Sequence, residues 1–470
     1  MGRPLDDRQR LFRRRRFGVL AVFATIILLA VVVGTDGFSG STPAGQHTAL
    51  GRRRPASTGR ATSTGWTVSG WLAGLEAKVK GQPGHLQPGS NPSVLPGPIL
   101  IADRNNSRLL LVDPKGRILW QFPSPGDLLP GQVFKSPDDS FFSPHGNHIL
   151  ATQESQFTLT EVSLRTGHIV WHYGHPGTSG SAPGYLNNPD DAMVLPNGNV
   201  ISADIKNCRL LYLSKTSIQP IHVYGETTPY CYHQPPARFG SPNGMFPMTN
   251  GNWLVTEING DWVDEMTPSG RILWSTNPPG ITYPSDTNEV RPGVFLTASY
   301  TKPGVVEEFN QQGQLLWRYA PTGAQALDEP SLALPLPNGD VLLNDDWNDR
   351  VIVVDPHTNK VVWQYGVTGV SGSQPGYLFK PDGVDLAPPY SLGMTHAATM
   401  GIPPFQPGPA TSGTSGGTTS GGTTSGTTSG TTTSGGTTSG TTTSGTTTSG
   451  GTTSGTTFGT TTSGGTTPAG

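Results

Sequence analysis

The sequence predicts an all-β domain, a six-bladed β-propeller, from three observations. A strand with a Trp at one fixed position recurs along the chain, in stretches such as "TNKVVWQYG", and gives Trp120, Trp171, Trp274, Trp317 and Trp363. The units that carry it are roughly 40 to 50 residues long, a period typical of propellers and solenoids. Between these strands no segment keeps a 3.6-residue apolar period with caps, so few helices are expected there.

Each unit supplies four short antiparallel strands. Asn197-Gly198, Asn250-Gly251 and Asn338-Gly339 predict two-residue hairpins, because Asn and Gly accept the positive φ of such turns. An alternating strand such as "RVIVVD" follows, and another tight turn precedes the Trp strand. A sixth unit, "IQPIHVYG", has His222 in the Trp position, which we interpret as a packed histidine. Four-stranded units repeated around an axis are the blades of a propeller.

The two ends of the repeat block predict how the ring closes. The first unit, residues 97–122, lacks an opening strand, and residues 377–389 resemble an opening with nothing after it. We expect these two pieces to form one blade, which hides the strand edges that an open array would expose. A linear solenoid is the alternative. The propeller domain is predicted over residues 96–389.

Four further segments flank this domain. Residues 17–33, "FGVLAVFATIILLAVVV", follow the basic residues of segment 1–16 and are long enough for one membrane-spanning helix. The positive-inside bias then predicts a single-pass protein of the cell membrane, with a cytoplasmic N-terminus and the propeller outside. A cleaved signal peptide is the alternative. Residues 34–95 are predicted to be a linker, and the Thr/Ser/Gly-rich residues 390–470 a disordered tail.

Charge and cysteine content limit the functions to consider. The formal net charge is −2 and no basic stripe is present, so nothing indicates a nucleic-acid partner. Cys208 and Cys231 are the two cysteines. An exported domain favours a disulfide between them, with two buried thiols as the alternative.

The blade openings are the candidate ligand-binding positions, because innermost strands line the channel of a propeller. The polar residues there are Asp138, Asp139, Asp190, Asp191, Asn243, Asp286, Asn288, Glu329 and Asp382. Their oxygens could hold Ca²⁺, with Asp190, Asp286 and Asp382 as candidate ligands, or a cationic molecule. Alternatively, these side chains only cap the turns where the strands begin.

Two other repeated features are interpreted as structural. The Trp series is expected to pack each blade on the next, because a repeated large apolar side chain is best explained by burial. A recurring acid and arginine pair predicts an ion pair in several blades: Asp103 with Arg108, Asp204 with Arg209, and Asp346 with Arg350.

Parts of the repeat resemble known families. The stretch "DPHTNKVVWQYG", with Asp355, Thr358, Lys360 and Trp363, resembles the blade signature of propellers of the pyrroloquinoline quinone (PQQ) type. The blade middles, such as "ADRNNSRLLLVDPKG", are similar to NHL repeats, which commonly build six blades. The "LPNG" opening together with the Trp ending resembles bacterial arylsulfotransferases.

Departures from those families argue against two activities. PQQ-dependent dehydrogenases have eight blades and an adjacent cysteine pair, which this chain lacks, so PQQ is not expected as a cofactor. Arylsulfotransferases need a central histidine, whereas the histidines here fall mostly in turns or last strands. The candidates are His145, His148, His168, His172, His175, His233 and His396.

The sequence therefore favours a non-catalytic, membrane-anchored, extracytoplasmic propeller that binds or scaffolds a protein or a small ligand. The alternative is an enzyme of the same architecture, arylsulfotransferase-like, lactonase-like or quinone-dependent, with its site in the central channel. Three convergent carboxylates accompanied by a histidine would indicate the enzyme.

Overall fold

A computed structural model describes residues 66–399, with side chains as far as Thr395. Six four-stranded sheets are present, which confirms the predicted all-β, six-bladed propeller. The basic segment 1–16, the expected membrane helix 17–33 and the tail beyond residue 399 lie outside the described residues. Within the described part of the chain, no helix combines the length and the apolar character needed to cross a membrane.

Blades 1 to 3 are formed by both ends of the domain and its first third. Blade 1 consists of β1 (Ile99–Asp103), β2 (Arg108–Val112), β3 (Ile118–Phe122) and the last strand of the domain, β24 (Pro381–Leu386). Blade 2 consists of β4 (Ser140–Phe142), β5 (His148–Gln153), β6 (Thr158–Ser163) and β7 (Ile169–Gly174). Blade 3 consists of β8 (Pro189–Val194), β9 (Val200–Asp204), β10 (Arg209–Leu213) and β11 (His222–Tyr224).

Blades 4 to 6 repeat the same order from the channel outward. Blade 4 consists of β12 (Pro242–Pro247), β13 (Trp253–Glu257), β14 (Trp262–Met266) and β15 (Ile272–Thr276). Blade 5 consists of β16 (Pro284–Arg291), β17 (Val294–Ser299), β18 (Val305–Asn310) and β19 (Leu315–Tyr319). Blade 6 consists of β20 (Ala333–Pro335), β21 (Val341–Asp345), β22 (Arg350–Asp355) and β23 (Lys360–Gly366). The innermost strands are therefore β24, β4, β8, β12, β16 and β20.

The ring closes as the sequence indicates. Strand β24 pairs antiparallel with β1, with Ile101 opposite Val384, and it takes the innermost position of blade 1. The paired stretch is shorter than the expected 377–389. Because the opening strand comes from the far end of the domain, no innermost position of this ring is left open.

The core lies between the blades rather than in one central layer. Strands such as β1 and β2 are buried along their whole length, which explains why "ILIAD" and "RLLLV" are nearly continuous apolar runs. β1 and β2, the second and third strands of blade 1, thus pack against both neighbouring blades. Because both faces of these strands are buried, their sequences do not alternate between apolar and polar residues as those of half-exposed strands do.

Four of the repeated tryptophans contact the following blade. The indole N–H of Trp363 donates to the carbonyl of Pro114 in blade 1 at 2.9 Å, and that of Trp317 donates to Asn359 Oδ1 in blade 6 at 2.8 Å. The ring of Trp274 lies 5.0 Å from that of Phe295 in blade 5. Lys215 of blade 3 places its ammonium group 5.9 Å from the ring of Trp171.

The fifth tryptophan, Trp120, packs against an N-terminal helix, with 6.2 Å between its ring and that of Trp71. This helix, α1 (Val68–Lys78), is capped by Thr67, whose hydroxyl oxygen accepts the N–H of Gly70 at 3.1 Å. Leu72 and Leu75 are buried against blade 1. The expected linker 34–95 therefore contains a docked helix, which differs from our prediction. Gly70 and Gly74 break up its short apolar pattern in the sequence.

Two other flanking segments also pack on the propeller. The N–H groups of Gln87 and Asn91 donate to Gln364 and Val362 at 3.1 and 2.8 Å, so this part of the expected linker runs along β23. Helix α2 (Leu392–Thr399) begins inside the segment that we expected to be a disordered tail. The Asp385 carboxylate accepts the N–H of Leu392 at 3.0 Å, which ties α2 to blade 1.

Candidate functional site

A repeated bulge builds the mouth of the channel. The residue before the first proline of each opening has a left-handed backbone, with φ between 46° and 57°, at Ser136, Asn188, Ser241, Tyr283, Glu329 and Lys380. The pairing register of β8, β12, β16 and β24 shifts just after that proline. A bulge re-aims side chains, and here the two residues after each proline lie around the axis. They form what we call the outer ring and the inner ring.

The outer ring consists of the residues directly after each proline: Asp138, Asp190, Asn243, Ser285, Ser331 and Asp382. Arg104, at the end of β1, neutralises one side of this ring. Its Nη1 lies 2.6 Å from Asp138 Oδ1 and also contacts Asp382, while its Nη2 contacts Glu154. Asn243 donates to Ser285 Oγ at 3.1 Å. The outer ring therefore has polar partners for most of its groups.

The inner ring is the next position along each strand, and three blades place an aspartate there. One carboxylate oxygen from each of Asp139, Asp191 and Asp286 lies within 4.8 Å of the other two. All three side chains are buried. Both oxygens of Asp191, both of Asp286 and Oδ1 of Asp139 have no hydrogen-bond partner. We call these three residues the aspartate trio.

Glycine leaves room beside the trio. Gly244 and Gly383 hold the inner-ring position in blades 4 and 1. A Cβ on Gly244 would lie 3.0 Å from Asp286 Oδ1 and 3.1 Å from Asp191 Oδ2. A Cβ on Gly383 would lie 2.8 Å from Asp139 Oδ1. The space around the carboxylate oxygens thus exists because these two positions lack a side chain.

Burial controls the ionisation of the trio. It raises the pKa of Asp139 and Asp191 well above the ordinary value, and neighbouring carboxylates raise both further. Burial likewise raises the pKa of Asp286 to about 7. Burial opposes ionisation of Asp382 too, but Arg104 and Lys380 outweigh it and hold the pKa of Asp382 below its ordinary value. Negative charge is therefore stabilised at Asp382, beside Arg104 and Lys380, and not at the trio.

The mouth itself is a cavity of about 360 Å³. Its wall combines carboxylates of the two rings with Arg104, Glu154, Lys380 and the rings of Tyr283 and Tyr300. No histidine is among the described residues that line it. Leu332 holds the inner-ring position in blade 6, and buried Phe141, Met193, Met245 and Phe246 lie beyond the inner ring.

Not every predicted site residue belongs to the mouth. Asp138, Asp190, Asn243 and Asp382 line the cavity, whereas Asp191 and Asp286 lie deeper, in the trio. The suggested metal ligands Asp190, Asp286 and Asp382 are divided between the two rings. Glu329 lies one residue before its proline, in the left-handed turn, and Asn288 lies further along β16, where its amide donates to Ala333 of blade 6 at 3.0 Å.

One predicted ion pair is wrong. Arg350 pairs with Asp345, at 2.7 Å from Nη2 to Oδ2, and not with Asp346. Asp346 lies one residue later, buried beside Asn344, whose Nδ2 is 2.6 Å from its Oδ1. The pairs in blades 1 and 3 are as expected, at 2.7 and 2.8 Å. The reason is that "NDDWNDR" offers two adjacent acids, and only the first is in register with the other blades.

Sequence reasoning missed the residue that follows the repeated acid. At this position the blades place Arg104, Glu154, Ile205, Ile258, Tyr300 and Asp346. The first five line the mouth. Their variation, next to a regular structural pair, is the signal that could have identified them.

The two cysteines form a disulfide, with 2.00 Å between their sulfur atoms. Cys208 begins the third strand of blade 3, and Cys231 lies in the loop between β11 and β12. The disulfide thus fastens this long loop to blade 3.

Comparisons with known proteins agree with the architecture. A family profile described as "Outer membrane protein assembly factor BamB" matches residues 234–377. The matched residues span blades 4 to 6, whose repeats are similar to the PQQ type. No curated protein sequence matches the chain.

Three solved structures of low identity are among those similar to this chain. A protein of unknown function from Bacteroides caccae is 16% identical, with a TM-score of 0.43, over 62% of this chain and 98% of the other. A virginiamycin B lyase from Staphylococcus aureus is 15% identical, with a TM-score of 0.35, over 48% and 69%. A chain of a nidogen/laminin complex is 15% identical, with a TM-score of 0.43, over 62% and 98%.

Proposed function

We propose that this chain is a non-catalytic binding module, held at the outer side of the cell membrane by a helix over residues 17–33, and that its channel binds Ca²⁺ at the aspartate trio. The ion would form the floor of the mouth, where a protein or a small ligand binds. The observation that carries the proposal is the convergence of three buried carboxylates, five of whose six oxygens have no hydrogen-bond partner.

The energetic reason is that buried charge must be neutralised. An unpaired carboxylate in a protein interior costs several kcal/mol, so it either keeps its proton or pairs with a cation. Arg104 serves the outer ring, and no basic side chain among the described residues contacts the trio. A bound ion is the remaining way to ionise these groups at neutral pH.

The donor set fits Ca²⁺ better than a softer ion. Ca²⁺ takes six to eight oxygen ligands in flexible geometry, from carboxylates in one- or two-oxygen contacts and from water. Asp139, Asp191 and Asp286 offer six carboxylate oxygens in total, and the adjoining cavity of about 360 Å³ provides access for water. Asp138, Asp139 and Asp190 form a second oxygen group next to the first.

Binding is favoured over catalysis by the composition of the mouth. The sulfotransferase alternative needs a histidine nucleophile, and no histidine is among the described residues lining the cavity. Tyr283 and Tyr300 are the ionisable hydroxyls there, and burial raises the pKa of Tyr300 well above its ordinary value. A phenol with a raised pKa is a poor base at neutral pH.

The test is a Ca²⁺ titration of the purified full-length chain after treatment with EGTA, followed by isothermal calorimetry and thermal unfolding. We expect saturable binding and a higher melting temperature with Ca²⁺, both lost in Asp191→Asn and Asp286→Asn. Asp340→Asn, in the turn between β20 and β21, is the control and should bind like the wild type. Absence of Ca²⁺ binding, or binding that survives both trio substitutions, would overturn the proposal.

A further inference from the structure

Blade 4 departs from an ion-pair pattern that blades 1, 3 and 6 share. In blades 1, 3 and 6 the second strand ends in an aspartate, and an arginine at the start of the third strand neutralises it. The pairs are Asp103 with Arg108, Asp204 with Arg209, and Asp345 with Arg350, at 2.7, 2.8 and 2.7 Å. Blade 2 replaces the pair with neutral groups: Gln153 Nε2 donates to Thr158 and Thr160 at 3.1 and 2.6 Å.

In blade 4 the acid remains but the arginine is gone. Glu257 ends β13 in the aspartate position, and Trp262, which is paired with it across the strands, stands where the other blades have arginine. Asp264 lies two residues further on, where blades 1, 3 and 6 have Leu110, Leu211 and Ile352. Blade 4 therefore buries two carboxylates, both 0% exposed, without an arginine.

His233 approaches these two acids from outside the sheet. Its Nδ1 lies 3.1 Å from Glu257 Oε1 and 3.9 Å from Asp264 Oδ2. Ligand atoms around a tetrahedral zinc ion are about 3.3 Å apart, given bonds of about 2.0 to 2.1 Å, so these separations need little adjustment. Both oxygens of Asp264 are buried with no hydrogen-bond partner. One carboxylate oxygen from each acid and one ring nitrogen of His233 lie within 4.8 Å of one another.

The loop that carries His233 is held in place by several contacts. Cys231, two residues earlier, forms the disulfide with Cys208. Asn259 donates to the carbonyl of Cys231 at 3.0 Å. Gly240 donates its N–H to Glu257, and a Cβ there would lie 2.4 Å from the carbonyl oxygen of Asn259, so only glycine fits. The imidazole also stacks on Trp262, with ring centroids 4.3 Å apart.

We propose that His233, Glu257 and Asp264 form a site for a divalent transition metal, Zn²⁺, separate from the channel. One imidazole nitrogen and two carboxylate oxygens suit Zn²⁺, whereas Ca²⁺ prefers oxygen ligands alone. The side chain of His233 is 21% exposed, so the ion can enter from solvent and water can complete its coordination. The proposal does not depend on Ca²⁺ binding at the aspartate trio.

The experiment uses the full-length chain without a histidine tag, freed of metal with a chelator. Zn²⁺ alone is titrated by calorimetry, and Co²⁺ is the spectroscopic probe because its visible absorption reports the ligand set. We expect one Zn²⁺ per chain and a Co²⁺ band that Zn²⁺ displaces. His233→Ala should weaken Zn²⁺ binding by at least roughly 100-fold, because loss of an outer-shell partner alone costs 10- to 100-fold. His222 is exposed on β11, so its interpretation as a packed histidine is wrong. His222→Ala is therefore the control and should leave both signals unchanged.

A second variant keeps the test decisive if His233→Ala prevents folding. Trp262→Arg restores the arginine of blades 1, 3 and 6 and supplies a cation to Glu257. It should abolish the Co²⁺ band without lowering the melting temperature of the metal-free chain. Asp286→Asn, in the channel, should leave the band intact. No stoichiometric Zn²⁺ binding, or binding unaffected by His233→Ala, would overturn the site.

Discussion

Arg104 is the most informative residue to replace, because it joins three carboxylates that come from different parts of the chain. Its side chain is 16% exposed and contacts Asp138, Glu154 and Asp382. Arg104→Gln keeps a polar side chain but shortens it and removes the charge. Two of the three acids are nearly buried, at 4% and 5% exposed. They would then face one another without the Arg104 guanidinium, and Lys380 would be the remaining cation near Asp382.

The expected loss of stability follows from the burial of these charged groups. Removing one partner of a buried ion pair costs about 3 to 5 kcal/mol, because the remaining charge is left without compensation. For residues 66–399 the entropy of unfolding is about 0.7 kcal/mol per degree, at about 2.1 cal/mol/K per residue. We therefore expect the melting temperature of Arg104→Gln to fall by about 4 to 7 °C, measured by circular dichroism at pH 7.5 in EGTA.

The matched control is Arg291→Gln. Arg291 is 59% exposed and lies 3.9 Å from Glu308, so its pair is a surface ion pair. Such pairs contribute about 0 to 1 kcal/mol, which corresponds to a shift below about 1.5 °C. Equal shifts for the two variants, or no shift for Arg104→Gln, would refute the conclusion that Arg104 neutralises the outer ring.

Three further predictions concern packing and ionisation. Gly244→Ala places a methyl group 3.0 Å from Asp286 Oδ1 and should reduce Ca²⁺ affinity in calorimetry by about tenfold or more, or about 1.4 kcal/mol, with an unchanged circular dichroism spectrum. Trp363 is buried and Trp171 is partly exposed. Trp363→Ala should therefore lower the free energy of unfolding, measured in urea, by about 3 to 5 kcal/mol, and Trp171→Ala should lower it clearly less. Equal losses would contradict the packing argument. Burial raises the pKa of Glu307 from 4.5 to about 7, so its stabilising contribution is complete below pH 4.5 and is lost as pH rises through 7. Glu307→Gln should therefore lose less unfolding free energy than the wild type between pH 5 and 8, and parallel pH profiles would exclude this effect.

The blade count and the closure could be predicted because their signals are local. The Asn197-Gly198, Asn250-Gly251 and Asn338-Gly339 pairs mark hairpins, and the Trp strand repeats from unit to unit. Helix α1 was missed because its stability comes from docking Leu72 and Leu75 on blade 1, which an eleven-residue pattern interrupted by glycine does not reveal.

The candidate site was only partly predictable for the same reason. The blade openings identified Asp138, Asp190 and Asp382 as channel residues. They did not show which carboxylates lie close together, because that depends on a bulge that shifts the pairing register by one residue. Asp139 was among the polar residues of the openings but not among the candidate Ca²⁺ ligands, and it proves to be part of the trio. His233 was dismissed as a loop histidine, because its proximity to Glu257 and Asp264 results from a disulfide and not from spacing.

Closure of the ring has a consequence for how the protein matures. Arg104 and Asp382 meet across 278 residues, and Asp382 belongs to the final strand of the propeller. A chain that stops before Pro381 therefore lacks both the inner edge of blade 1 and one wall of the mouth. The mouth is therefore completed only by the last strand of the propeller, and a ligand that contacts both Arg104 and Asp382 would need the whole domain to be folded. Incomplete chains would instead present β1 as an unpaired edge, a feature that quality-control proteases can recognise.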